Sequence, residues 1–222
     1  MNEFYYSAEP TSAHAEREIE IEALGVRSRC LTDAGVFSRD GLDTGTRAML
    51  EALPELHGRV LDLGCGWGPV GVTLARKYPE CEIVMTDVNH RAVELSRRNL
   101  ARNGAKAEVV QGDGFENVTG RFDFILTNPP IRAGKAVIYR LFAEAKEHLT
   151  DDGALILVIR KQQGAASAQK YLQTLFPTVT LLDRTAGFHT LQAEPARSRC
   201  RAWATRSARR WSALARCDTF LK

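Results

Sequence analysis

Val60-Leu61-Asp62-Leu63-Gly64-Cys65-Gly66-Trp67-Gly68 is an apolar run that breaks into alternating glycines, and a helix pattern over 70–77 follows directly. A strand feeding a glycine-rich turn and then a helix is a nucleotide-type βα unit. The glycines admit positive φ and let a ligand approach the backbone, while the helix start leaves N–H groups unpaired. The spacing is GxGxG. A dinucleotide site favours GxGxxG, because a pyrophosphate must rest on the helix N-terminus, and this turn carries Asp62 before the glycines instead. An acid there suits a cationic ligand better than a phosphate. Asp62, Gly64, Cys65, Gly66 and Gly68 are therefore candidate ligand positions.

Outward from this unit, strands and helices alternate. Apolar runs at 60–63, 83–85, 124–126 and 155–159 lack the period-two pattern of a half-exposed strand, so they read as strands covered on both faces. Helix patterns fall at 70–77, 90–103 with Gly104 just past the end, 135–149 and 165–175. The expected fold class is α/β, a doubly wound and mostly parallel sheet, completed by strands at 178–182 and 188–193. Before it the pattern suggests an amphipathic helix over 12–24, a strand over 26–31 and a helix over 44–53. Right-handed crossovers bring the strand ends carrying Gly64, Asp87, Asp113 and Asn128 to one edge, where such sheets bind ligands.

Two acids recur where a nucleoside would need them. Asp87 ends the second strand, 23 residues beyond Gly64, and with Val88 suits a ribose whose hydroxyls need an acceptor. Asp113, in Gln111-Gly112-Asp113-Gly114-Phe115, is placed to accept from an adenine amino group, with Phe115 beside the ring. Taken singly, an Asp beside glycines is more often a turn residue. Their ordered recurrence after successive strands favours the ligand reading.

The fourth strand end carries Asn128-Pro129-Pro130-Ile131. Two prolines make a stiff loop whose carbonyls can only accept. The Asn128 side-chain oxygen and the Pro129 carbonyl can each take one N–H of a planar exocyclic amine and draw its lone pair toward an electrophile. Asn128, Pro129, Pro130 and Ile131 are the candidate catalytic residues.

On these motifs the chain resembles the class I S-adenosylmethionine-dependent methyltransferases, and more narrowly the small-domain methyltransferases related to the bacterial 16S ribosomal RNA guanine-N2 methyltransferase. Tyr5-Tyr6-Ser7, Gly35-Val36-Phe37-Ser38-Arg39-Asp40, Asp43-Thr44-Gly45-Thr46 and Ile131-Arg132-Ala133-Gly134-Lys135 carry the likeness further. The resemblance implies a seven-stranded Rossmann-like sheet with an antiparallel last strand, S-adenosyl-L-methionine as cofactor and ribosomal RNA as partner. It also implies that Phe37, Ser38 and the stretch from Asp43 to Thr46 close over the methionine end. Ile131 departs from the aromatic residue that many amino-methyltransferases place after the prolines to stack on the base. Arg132, Lys135, Arg160 and Lys161 flank the expected mouth and are candidate phosphate contacts. An exocyclic amine is shielded in a stacked helix, so the target base has to be splayed or single-stranded. Transfer to tRNA, protein glutamine or DNA adenine uses the same Asn- or Asp-Pro-Pro logic, and a non-catalytic cofactor- or RNA-binding module is the reading from another class.

Composition agrees. The 222 residues, 44% of them apolar, can bury one α/β core. We read 1–57 as a helical cap segment packed on a core over 58–193, the two forming one domain. From Glu194 onward seven Arg and one Lys stand against two acids, so this tail is +6 and residues 1–193 are −3 of the chain's +3. A basic arm with Trp203 and Trp211 for RNA and a weakly ordered, non-homologous extension both fit. The longest apolar run is too short for a membrane span and no signal-peptide pattern opens the chain, which points to a cytoplasmic protein. Cys30, Cys65, Cys81, Cys200 and Cys217 form no CxxC pair, so reduced thiols and no metal are expected. The five histidines show no catalytic spacing.

Overall fold

A computed structural model describes residues 8–196 of the chain. Tyr5, Tyr6 and Ser7 and the basic tail beyond Ala196 lie outside the described residues. Among the described residues nine strands and five helices run in the order β1 (Arg17–Ala23), β2 (Val26–Thr32), α1 (Thr44–Glu51), β3 (Arg59–Leu63), α2 (Pro69–Lys77), β4 (Glu82–Asp87), α3 (His90–Arg102), β5 (Glu108–Gln111), β6 (Phe122–Thr127), α4 (Lys135–His148), β7 (Leu149–Arg160), α5 (Ala165–Leu175), β8 (Thr178–Thr185) and β9 (Phe188–Glu194). Strands β3 to β9 form one sheet in the order β5-β4-β3-β6-β7-β9-β8. The pairs β4–β5, β3–β4, β3–β6 and β6–β7 are parallel, while β9 runs antiparallel between β7 and β8. This is the expected doubly wound sheet with its antiparallel last strand.

Both faces are covered, as the unbroken apolar strands require. One face packs Leu61, Ile125, Leu155 and Leu157 against Leu141, Phe142 and Ala145 of α4 and Ala168 and Leu172 of α5. The other packs Val60, Met85, Leu126 and Ile156 against Met49 and Leu50 of α1 and Val70, Val72 and Leu74 of α2. Among the described residues no helix is long and apolar enough to cross a membrane.

The helix expected over 12–24 is instead β1, paired antiparallel with β2 through a turn at Leu24 and Gly25, both at positive φ. The sequence Arg17-Glu-Ile-Glu-Ile-Glu-Ala23 alternates with a period of two, and Ile21 and Ala23 are buried while the glutamates face out. Glu and Ala favour helices intrinsically, but here the burial pattern overrides propensity. The edge of β2 is closed by side chains that imitate a strand. Asn99 of α3 accepts from the Leu31 N–H at 2.7 Å and donates to its carbonyl at 2.9 Å. Asn103 repeats the exchange with Arg29 at 3.1 and 2.9 Å. These bonds satisfy an edge that would otherwise template pairing with another chain.

Candidate active site

The strand order reverses beside β3, and the ends of β3, β4, β5 and β6 open there into a cavity of about 580 Å³. The volume lies within the range of small-molecule sites. Gly64, Gly66, Asp87, Val88, Asp113, Gly114, Asn128, Pro129, Pro130 and Ile131 line it together, so residues from four separate motifs share one wall. Phe37, Ser38, Arg132 and Arg160 line it too.

The glycine turn is held almost entirely by backbone groups. The N–H groups of Gly64 and Cys65 both donate to the Thr86 carbonyl at 2.9 Å, which ties the end of β3 to the end of β4. Gly64, Gly66 and Gly68 have φ of 77°, 57° and 91°, a region where a side chain would be strained. Asp87 completes the turn: Oδ2 accepts from the Gly66 N–H at 2.8 Å and Oδ1 from the Asn89 N–H at 2.9 Å. Burial pushes this carboxyl above its usual range, against the pull of the backbone N–H groups of Asn89, Gly66 and Val88. Each oxygen keeps lone-pair capacity for a hydroxyl donor in the cavity.

Five residues predicted to bind the cofactor, Thr46, Asp62, Cys65, Gly68 and Phe115, lie outside the cavity wall. Asp62 is buried and accepts from the Gly71 N–H at 2.9 Å, bracing α2 against β3. Burial pushes its carboxyl up to about 7; the Gly71 N–H opposes the rise and the charge of Asp87 adds to it. Cys65 is buried beside Ser96, with burial raising its thiol far above the usual range. Gly68 caps α2 in front of Pro69. Phe115 is buried in the core and stacks on His148 with ring centroids 4.4 Å apart. The sequence placed these residues near the ligand because they are near it in the chain, and only packing decides which way they face.

Arg140, on α4, is a cavity residue that the sequence reading missed. It donates to Asp113 Oδ1 at 2.7 Å and to Glu144 at 3.3 Å. Asp113 therefore holds one oxygen against α4, and the other accepts no bond among the described residues. Phe188 on β9 and Gln163 after β7 also line the wall. Lys135 and Lys161 are exposed and lie outside the wall, each close in sequence to a lining arginine.

Segment 34–41 covers one side. Ser38 sits at φ 53°, unusual for a residue with a side chain, and its hydroxyl donates to the Gly41 carbonyl at 2.7 Å. Asn89 donates to the Gly35 carbonyl and Arg91 to the Ala34 carbonyl, at 2.9 and 2.6 Å. The buried indole of Trp67 donates to the Ser38 carbonyl at 3.3 Å, so the cover is tied to the glycine turn itself. Phe37, beside Ser38, is 36% exposed and is the one large apolar side chain among the described residues to stand so far out.

Asn128 emerges from β6 with its amide direction decided. Nδ2 donates to Asp43 Oδ2 and to Thr46 Oγ1, each at 3.0 Å. A carboxylate can only accept, so the amide nitrogen must face Asp43. Oδ1 takes no hydrogen bond among the described residues and is left as an acceptor at the cavity. The Pro130 carbonyl accepts from the Ala133 N–H at 2.9 Å and closes a 3-10 turn over Ile131–Ala133.

This strand order, a glycine-rich turn tied to an acid on the next strand, and an acceptor-lined Asn-Pro-Pro loop in the same cavity define a class I S-adenosylmethionine-dependent methyltransferase. The chain belongs to the methyltransferase small domain family, whose model matches residues 27–192. It is 40% identical over 199 residues to an uncharacterized Bacillus subtilis protein, YbxB, a match covering 87% of this chain and 99% of that one. It is 38% identical over 199 residues to the Escherichia coli ribosomal RNA small subunit methyltransferase C, covering 87% of this chain and 53% of the relative. The chain thus spans about half the length of that relative. Among solved structures it matches the T. thermophilus 16S rRNA N2 G1207 methyltransferase in complex with AdoMet and guanosine, at a TM-score of 0.74 and 29% identity over 84% of this chain and 52% of that one.

The wall fits S-adenosylmethionine by its own chemistry. Asp87 and Asp113 offer acceptors to ribose hydroxyls and an adenine amine, and their charge suits a sulfonium. A Cβ built on Gly64 or Gly66 would meet no protein atom within 4 Å, so the turn presents an open backbone surface.

Proposed function

We propose that the protein transfers a methyl group to the exocyclic amine of guanine, at N2, in small-subunit ribosomal RNA. The observation that carries the reading is the anchored Asn128 amide, which turns an acceptor oxygen toward the cavity shared with the glycine turn. The two relatives of named activity support small-subunit ribosomal RNA as substrate, and the one solved with guanosine bound supports guanine as the base. When bound, S-adenosylmethionine supplies a methyl group on a sulfonium, which passes to the amine nitrogen in one displacement. Asn128 Oδ1 and the Pro129 carbonyl accept the two N–H groups of the amine and aim its lone pair; the displaced proton leaves to water. The chain contributes mainly orientation and a polar wall matched to charge moving from sulfur to nitrogen.

Around the mouth Arg132 and Arg160 contact phosphate, with Lys135 and Lys161 beside them, while the target base is splayed inward. The guanidinium of Arg160 lies 5.9 Å from the centre of the Phe188 ring, and both residues line the cavity. A ribosomal RNA substrate places the protein in the cytoplasm.

Incubating the protein with labelled cofactor and either 30S subunits, naked ribosomal RNA or bulk tRNA tests the proposal. Labelled N2-methylguanosine from small-subunit RNA, absent with Asn128→Ala, is the expected product. Label in tRNA or in protein alone overturns the substrate assignment.

A further inference from the structure

Helix α1 begins at the cavity wall, and its N-cap does more than cap. Asp43 Oδ2 accepts from the Thr46 N–H at 3.0 Å, which is the ordinary capping bond. The same oxygen accepts from Asn128 Nδ2 at 3.0 Å and from the Thr46 hydroxyl at 3.5 Å, while the Thr46 oxygen itself accepts from Asn128 Nδ2. Asp43 lines the cavity and Thr46 is buried behind it. Both amide hydrogens of Asn128 are thereby taken by acceptors 85 and 82 residues away in the chain.

We propose that Asp43, with Thr46, is the positioning residue for methyl transfer: the pair locks the Asn128 amide so that Oδ1, and not the NH2 group, meets the acceptor amine. The inference rests on the proposed amino-group methylation. The two ends of a carboxamide have nearly the same shape, so an unanchored Asn128 would turn over freely. In the turned state its NH2 would face the amine's own N–H groups, donor against donor, and the lone pair of the amine would lose its aim. A carboxylate removes that state because it cannot donate. Capping alone does not need Asp at this place, since Ser and Asn cap about as well. Holding Asn128 does, because the side chain must reach both the first turn of α1 and the end of β6.

Asp43→Ser separates the two roles: serine keeps a capping oxygen but is too short to reach Asn128. The expected result is a fall in kcat of about tenfold to a hundredfold, the scale of a small misplacement of a reacting group, with the melting temperature and cofactor Kd nearly unchanged. Added to Asn128→Ala, Asp43→Ser should cause no further loss, since it acts through that side chain. Thr46→Val should lower kcat by a smaller factor, and Thr46→Ser should restore it. A second readout needs no turnover. The Asn128 side-chain NH2 signals, assigned in a 15N-labelled protein by their disappearance in Asn128→Ala, should shift in Asp43→Ser and exchange faster with water. Unmoved signals overturn the proposal, as does a rise in cofactor Kd that accounts for the whole loss, which would make Asp43 a direct cofactor ligand. Should the wild type methylate no RNA, the functional reading fails while the NH2 signals still decide the clamp.

Discussion

The two halves of the cavity are built by opposite means. The half we assign to the cofactor is local: a single βα turn and the acid of the adjacent strand, joined by backbone hydrogen bonds from Gly64, Cys65 and Gly66. The half we assign to the methyl acceptor is assembled from distant pieces: Asn128 at the end of β6, Asp43 and Thr46 at the start of α1, and Phe188 on β9. A backbone-built half tolerates side-chain change poorly only where a glycine or Asp87 is touched. A half built from side chains fails whenever one of them loses its reach. Binding and turnover should therefore respond to different residues.

Asn128→Ala is the largest expected break. It should lower kcat at least a hundredfold and leave cofactor Kd nearly unchanged, as measured by methyl transfer and calorimetry. Asp87→Asn should do the reverse. One amide end would face a backbone N–H, so the turn loses a bond to a charged acceptor worth about 1.5–3 kcal/mol, and cofactor Kd should rise roughly tenfold or more. If both substitutions weakened cofactor binding equally, the division between the halves would be wrong.

Gly45→Ala sharpens the comparison from the acceptor side. A Cβ at Gly45 would stand 2.7 Å from the Phe188 ring and 3.0 Å from Asp43 Oδ2, where only glycine fits. Overpacking of this kind costs about 1–3 kcal/mol, so a lower melting temperature with a several-fold loss of kcat is expected. Retained kcat would mean that Phe188 and Asp43 shift freely and position nothing.

The last test concerns Asp62 and leaves turnover aside. Its folded carboxyl titrates at about 7 against an ordinary value of 3.8, so the folded chain holds this proton more tightly than the unfolded one. That contribution to stability is fully present below the unfolded value and is lost as pH rises through about 7. The stability of the wild type relative to Asp62→Asn should therefore fall between pH 4 and 7 in denaturant titrations without cofactor. A constant difference would show that the buried carboxyl does not titrate there.

Much of the cofactor half was legible because its rules act within a few residues. The glycines, the acid at the end of β4 and the prolines after Asn128 each announce a backbone geometry. The hairpin shows where such reading failed: an amphipathic pattern suggested a helix over 12–24, yet the alternation of isoleucines with glutamates was the stronger signal. Phe115 shows a different limit of local reading. Its neighbour Gly114 lines the cavity, but one residue along the chain the backbone turns the ring into the core against His148.

By itself the sequence determined a parallel α/β sheet, the glycine turn after β3 and the stiff Asn-Pro-Pro loop after β6, since each depends on φ restrictions and on apolar runs that local physics dictates. Only the tertiary structure decided which way the Asn128 amide points, that Arg140 braces Asp113, and that Asn99 and Asn103 close the edge of β2. These pairings join residues far apart in the chain, and no local rule specifies them: they exist because the packing of α1, α3 and α4 on the sheet brings the partners within hydrogen-bonding reach.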